Sequence, residues 1–188
     1  MAELHRAAPT PVDRVALPAG APFGSLDVDV EGCTLCLSCV SACPTGALSD
    51  SEEKPALYFA ESACVQCGLC AATCPEKVIT LAPQLDFQAW RAPRRTVKEE
   101  EPYHCIRCAK PFGTKSTVER IVAKLEGRHW MFSGENARRL DVVRMCDNCR
   151  IDVVMNEGLD PYAGPGRPAP RTTEDYLRER EKHREKPV

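Results

Sequence analysis

The chain has 188 residues, a formal net charge of −2, 6% aromatic side chains and twelve cysteines. So few bulky apolar residues do not build a large conventional core, and chains of this kind add disulfides or metals as cross-links. No apolar run approaches the roughly 18 residues of a membrane span, and the opening stretch from Met1 to Val15 lacks the apolar segment of a secretion signal. The expectation is a soluble, cytoplasmic protein whose cysteines hold metal.

Charge is spread unevenly. Residues 1–90 hold 4 Lys and Arg against 11 Asp and Glu, whereas residues 91–188 hold 21 against 16. One region is acidic and the other basic, which implies two different surfaces.

In chain order, residues 1–24 read as an extended N-terminal segment. Leu26-Asp27-Val28-Asp29-Val30 then alternates apolar and polar as a short strand does. It leads into Cys33, Cys36, Cys39 and Cys43-Pro44, spaced C-x2-C-x2-C-x3-C-P, with room for one helical turn before Cys43. Gly46-Ala47-Leu48 reads as a returning strand. The pattern then repeats. Ala56 to Ala60 is an apolar strand, Cys64, Cys67, Cys70 and Cys74-Pro75 repeat the spacing at an offset of 31 residues, and Val78 to Leu81 returns.

This spacing points to [4Fe–4S] clusters. A cubane presents four irons, each needing a thiolate. Three cysteines at two-residue intervals wrap one face, and the fourth ligand comes from elsewhere. In the two-cluster arrangement the fourth cysteine of each run serves the other cluster. The expected ligand sets are therefore Cys33, Cys36, Cys39 and Cys74 for cluster I, and Cys64, Cys67, Cys70 and Cys43 for cluster II. The proline after each remote cysteine fixes φ and turns the chain away. Structural zinc calls for paired C-x2-C units, and disulfides call for an oxidising compartment.

With both runs and both prolines in place, residues 25–83 resemble the bacterial two-[4Fe–4S] ferredoxins. The resemblance implies one-electron transfer between closely spaced clusters. The fold class expected is α+β: a duplicated β-α-β ferredoxin-type domain followed by a small helical four-cysteine domain.

Residues 84–103, with Pro83, Pro93 and Pro102 and the run Lys98-Glu99-Glu100-Glu101, read as a linker. Residues 104–160 form the second domain. Cys105-x2-Cys108 and Cys146-x2-Cys149 can each make a knuckle, and two knuckles close a four-thiolate site. The 37 residues between the pairs exceed the spacing of simple zinc modules. They carry a capping box at Ser116-Thr117-Val118-Glu119, an apolar stripe at Val118, Ile121, Val122 and Leu125, a stop at Gly127, and a second helical stretch from Glu135 to Met145. Zinc, a third [4Fe–4S] cluster and a metal-free dithiol pair all stay open here, with zinc favoured. His104 and His129 are candidate substitute ligands, although a lone histidine beside a full set of cysteines is more often a bystander.

Residues 161–188 form a Pro/Gly-rich and charged tail. Gly164-x-Gly166-x-x-Ala169 follows no strand and is broken by prolines, so it is not a dinucleotide fingerprint. A solvated helix from Thr172 to Lys186, capped at Thr173 and carrying a Glu174–Arg178 pair, is expected. Basic residues interspersed with acids do not make a nucleic-acid reader.

Ala16 to Gly24, Lys110-Pro111-Phe112-Gly113 beside the first pair, and Met145-Cys146-Asp147-Asn148-Cys149-Arg150 together resemble the C-terminal part of larger proteobacterial 4Fe–4S binding proteins. Those are often encoded beside formate dehydrogenase components, which implies a redox partner of that type. The function expected is electron transfer without catalysis of its own. The alternative is a structural or assembly module of a metalloenzyme complex.

Overall fold

The computed structural model describes residues 1–128, 132, 134–156 and 169–184. The fold is mixed α and β, with eight strands in three small sheets among the described residues. The Gly164 to Ala169 motif and His129 fall wholly or largely outside these residues.

The repeat seen in the cysteines extends to the backbone. Strands β2 (Gly24–Val28) and β4 (Ala56–Phe59) precede the two runs. Helices α2 (Ser38–Ala42) and α3 (Leu69–Thr73) each fill one turn between the third and fourth cysteines. Strands β3 (Leu48–Ser49) and β5 (Ile79–Asp86) return. Pairing crosses between the repeats. β2 runs antiparallel to β5, with Val28 opposite Ile79, and β3 runs antiparallel to β4, with Leu48 opposite Phe59. The strands of each β-α-β unit therefore pair with strands of the other unit.

Burial follows from this pairing. β4 is a central strand, and Ala56, Leu57 and Phe59 are fully buried. Leu57 and Phe59 meet Leu26, Leu35, Leu48 and Ile79 in one cluster that also contains Cys39 and Cys70. The apolar side chains form a jacket around thiols, which is how so short a list of aliphatic residues closes a core. Gly24 shows how closely the strands approach. A Cβ added there would lie 2.4 Å from the Ala82 carbonyl oxygen and 2.7 Å from Gln66 Cδ.

Several stretches are more ordered than expected. The N-terminal segment contains α1 (Ala2–Ala7) and β1 (Arg14–Ala16), which pairs with the far half of β5. The expected linker folds back: α4 (Phe87–Arg91) is capped by the Asp86 side chain, and β6 (Arg95–Glu99) adds to the edge of β4. The physical reason is that β4 had a free edge whose N–H and C=O groups needed partners. Burial opposes but does not outweigh the backbone N–H of Ala89, the largest influence holding the Asp86 carboxyl below its usual range. The Arg14 guanidinium and the Gln88 N–H act in the same direction.

The second lobe begins with the hairpin β7 (Pro102–His104) and β8 (Pro111–Thr114), followed by α5 (Lys115–Leu125). Val118 and Val122 are buried, Ile121 is exposed, and Gly127 has φ +67 just past the helix. The expected capping box is not used. Thr114 is the N-cap residue and makes no side-chain cap bond. The Ser116 amide and hydroxyl donate to the Glu100 carboxylate, so a side chain from the preceding segment serves the helix start. Gly134–Arg144 winds as a 3-10 stretch, where a helix from Glu135 was expected, and α6 (Asp147–Asn156) follows. The last described element, α7 (Thr173–Arg184), is capped by Thr172 rather than Thr173, with reciprocal bonds to Asp175 and the expected Glu174–Arg178 pair at 3.5 Å.

Candidate metal centres

The loops that carry the first eight cysteines depend on left-handed backbone, and these positions repeat as well. Leu35 and Gln66 have φ 51 and 53, Leu37 and Gly68 have φ 59 and 78, and Gly46 and Lys77 have φ 68 and 54. Alternation of right- and left-handed residues turns successive N–H groups into one concavity, the backbone arrangement that suits an anion or an iron–sulfur site. For a leucine each such bend costs about 1–2 kcal/mol. The backbone N–H of Leu35 reaches the Cys33 sulfur, that of Ser38 reaches Cys36, and those of Leu48, Thr45 and Ala47 reach Cys43.

Two cavities lie behind these loops. One is lined by Cys33, Cys36, Cys39 and Cys74, with Leu35, Leu57 and Ile79 around them. The other is lined by Cys43, Cys64, Cys67 and Cys70, with Leu26, Leu48 and Phe59. Each thus gathers three thiols from one run and the fourth from the other. Cys39 and Cys70 are buried, Cys36 and Cys67 are exposed, and the remaining four are partly covered.

Electrostatics reflect the same groupings. Burial, then the neighbouring Cys33 and Cys36 thiols, pushes Cys39 up to about 11. Burial also raises Cys70, helped by Cys64, Cys67 and Cys43, and raises Cys33, where Cys36 and Cys74 add to the rise. At Cys36 and Cys43 burial raises the thiol, but hydrogen bonds from Ser38 and Thr34 at the first, and from Leu48, Thr45 and Ala47 at the second, outweigh it. Gathering unlike-charge partners around such thiolates is what a cationic metal core does. All twelve cysteines are free thiols.

Several residues that spacing alone does not reveal attach to these loops. Lys98 on β6 donates to the carbonyls of Val30 and Cys33 and tends to lower the Cys33 thiol. The Gln66 amide donates to the Cys64 sulfur at 3.4 Å and to the Ser25 carbonyl. Glu76 follows Cys74-Pro75 and accepts from Arg120 at 2.7 Å and Lys124 at 2.8 Å. These two bonds hold its carboxyl below the usual range. The only sequence signal for Glu76 is that the repeat breaks there: the matching position is Thr45.

The second lobe rests on the first loop. The Thr114 and Thr117 hydroxyls both donate to the Thr34 carbonyl, at 3.2 and 2.6 Å. Within the lobe, the β7–β8 turn carries Cys105 and Cys108, and the start of α6 carries Cys146 and Cys149. The four Sγ atoms lie within 4.8 Å of one another. The Ile106 N–H donates to the Arg144 carbonyl, and Arg150 donates to the carbonyls of Val142 and Met145, tying the two pairs together. At Cys105 burial acts upward, but the backbone N–H groups of Cys146, Cys108 and Arg107 outweigh it and bring the thiol to about 6. Cys149, hydrogen-bonded to Cys108, is pushed up to about 12. His104 is exposed and outside the group.

Comparison with known proteins bears on the segment that carries the first eight cysteines. Residues 32–79 match the family described as a 4Fe-4S dicluster domain. A stretch of 40 residues is 50% identical to the aliphatic sulfonate oxidoreductase, polyferredoxin-like subunit, of Pyrococcus furiosus. That match covers 21% of this chain and 23% of the relative's length. The chain therefore contains a ferredoxin-like iron–sulfur segment, with 4Fe–4S binding and electron transport as its associated chemistry. No described helix is long and apolar enough to cross a membrane.

Proposed function

We propose that this protein is a non-catalytic carrier of single electrons with two [4Fe–4S] clusters, held crosswise in a duplicated ferredoxin-type domain. Cys33, Cys36, Cys39 and Cys74 hold the first, and Cys64, Cys67, Cys70 and Cys43 the second. The observation that carries this reading is the pair of cavities, each lined by four thiols in that crossed combination. The donor set fits the group, because thiolates are its ligands and the N–H groups turned toward the sulfurs compensate their charge. When bound, each cluster supplies a delocalised site that takes up or releases one electron.

The residues of the chain do the rest. The thiolates fix position, the backbone N–H groups stabilise charge on sulfur, and Leu35, Leu57, Leu26 and Phe59 exclude water. Cys36 and Cys67 keep each site near the surface, where a partner can approach. The same reading gives Cys105, Cys108, Cys146 and Cys149 a metal of their own.

Anaerobically purified protein is expected to show eight irons at these sites and two cluster signals by EPR after dithionite reduction. Failure of either cluster to accept an electron from dithionite or from a partner enzyme would favour the structural or assembly role. The partner is a redox enzyme, and formate dehydrogenase components, implied by the wider resemblance, are the first to test. Residues 1–90 carry a net −7, and two clusters at −2 each bring this to about −11. Docking onto a basic patch should therefore weaken steeply with added salt. A flat salt response would count against such steering.

A further inference from the structure

Cys105, Cys108, Cys146 and Cys149 differ from the other eight cysteines in how closely they gather. Their four sulfurs all lie within 4.8 Å of one another, and those of Cys108 and Cys146 are 3.6 Å apart. Four thiolates on one tetrahedral ion at about 2.3 Å must stand about 3.8 Å from each other. Four thiolates on a cubane stand farther apart, because each binds a separate iron and is pushed outward by the size of the cube. Among the described residues, this is the one group of three or more His, Cys, Asp or Glu close enough to hold a single ion. The eight cysteines of the two runs converge on their cavities without forming such a group, so the same structure contains both spacings.

The surroundings say what the ion would do. Among the described residues of the second lobe, the buried aliphatic side chains are Val118, Val122, Leu140 and Val153, joined by Cys105 and Cys146. So few are insufficient to order two helices, a hairpin and a 3-10 stretch without a cross-link. The thiol pairs sit where a cross-link is most effective, at the hairpin turn and at the start of α6, with α5 and the 3-10 stretch between them in sequence.

We propose that these four cysteines bind one zinc ion, and that this ion is the lock that keeps the second lobe folded against the Thr34 loop. Paired C-x2-C units forming a closed four-sulfur tetrahedron match structural zinc, and metal binding at such a site is itself folding energy. The proposal deepens the metal reading above but uses none of the cysteines assigned to the clusters.

The test uses the full chain purified anaerobically. Elemental analysis is expected to give one zinc per chain alongside the iron, and zinc X-ray absorption a single sulfur shell at about 2.3 Å with no metal neighbour. Cys108→Ser, at the exposed ligand, should weaken or abolish zinc retention while leaving iron unchanged. Zinc chelation from the wild-type protein, which avoids any folding failure of a variant, should raise amide exchange across residues 115–125. Four irons lost in Cys108→Ser, one extra iron in place of zinc, or zinc release with no change in exchange would each overturn the proposal. Zinc without iron would instead sink the two-cluster reading and leave this one standing.

Discussion

The loops Cys33–Cys43 and Cys64–Cys74 share every cysteine spacing and repeat their left-handed positions, but they face different surroundings. Thr34 in the first is 9% exposed, and its carbonyl accepts two hydroxyls from the second lobe. The matching residue in the second, Val65, is 45% exposed, and Leu69 nearby is 48% exposed. A lysine, Lys98, attends the first loop, and a neutral amide, Gln66, attends the second. Ligand spacing governs what a loop can hold. Solvent, charge and neighbouring lobes govern how it behaves, and these differ between the two loops.

The strongest way to break this comparison is to remove the thiol each loop borrows. Cys74→Ala should deplete the site formed by Cys33, Cys36 and Cys39 and lower iron content by about half, leaving the second cluster signal in place. Loss confined to the second site would mean the ligation is not crossed.

A smaller effect is expected where the second lobe grips the first loop. Glu76→Gln removes the anion that holds Arg120 and Lys124, and should increase amide exchange in α5. The pH dependence has a definite sign. The Glu76 carboxyl is held below its ordinary range, so its contribution is present at neutral pH and is lost as pH falls through the lowered value. The protection of α5 amides, taken relative to the intrinsic exchange rate at each pH, should drop in the wild type as pH falls through the lowered Glu76 value, and the glutamine variant should lack this component.

Charge beside the first loop gives a further difference. Lys98→Met should lower the potential of the first site by tens of millivolts, since a cation favours the reduced state, and leave the second unchanged. The smallest effect is expected for Gln66→Leu. It removes a neutral donor from the Cys64 sulfur and should lower only the second potential, which redox-titrated EPR would resolve.

Much of this organisation is legible in the chain. The cysteine spacing marks the two runs, and alternation or apolar clustering marks the cores of β2, β4 and β5, because each has an apolar face or is buried. Other elements leave no such trace. β1 is three residues long and exposed throughout, and its pairing with β5 is a tertiary event. β6 reads Arg-Thr-Val-Lys-Glu, a polar stretch that becomes a strand because β4 offers it an edge. The cap of α5 comes from Glu100, fifteen residues before the start of the helix at Lys115, so no local motif could show it. The four-cysteine group is visible as two pairs, but its tight sulfur spacing, which separates one ion from a cube, exists only in three dimensions.

The crossed strand pairing has one further implication. Because β2 pairs with β5 and β3 with β4, the copies are interlocked rather than stacked. Cutting the chain between Asp50 and Pro55 would not release two miniature one-centre proteins. Each fragment would keep an orphaned strand edge and, with the crossed ligation proposed above, would lack its fourth thiol, so the two halves would have to fold together.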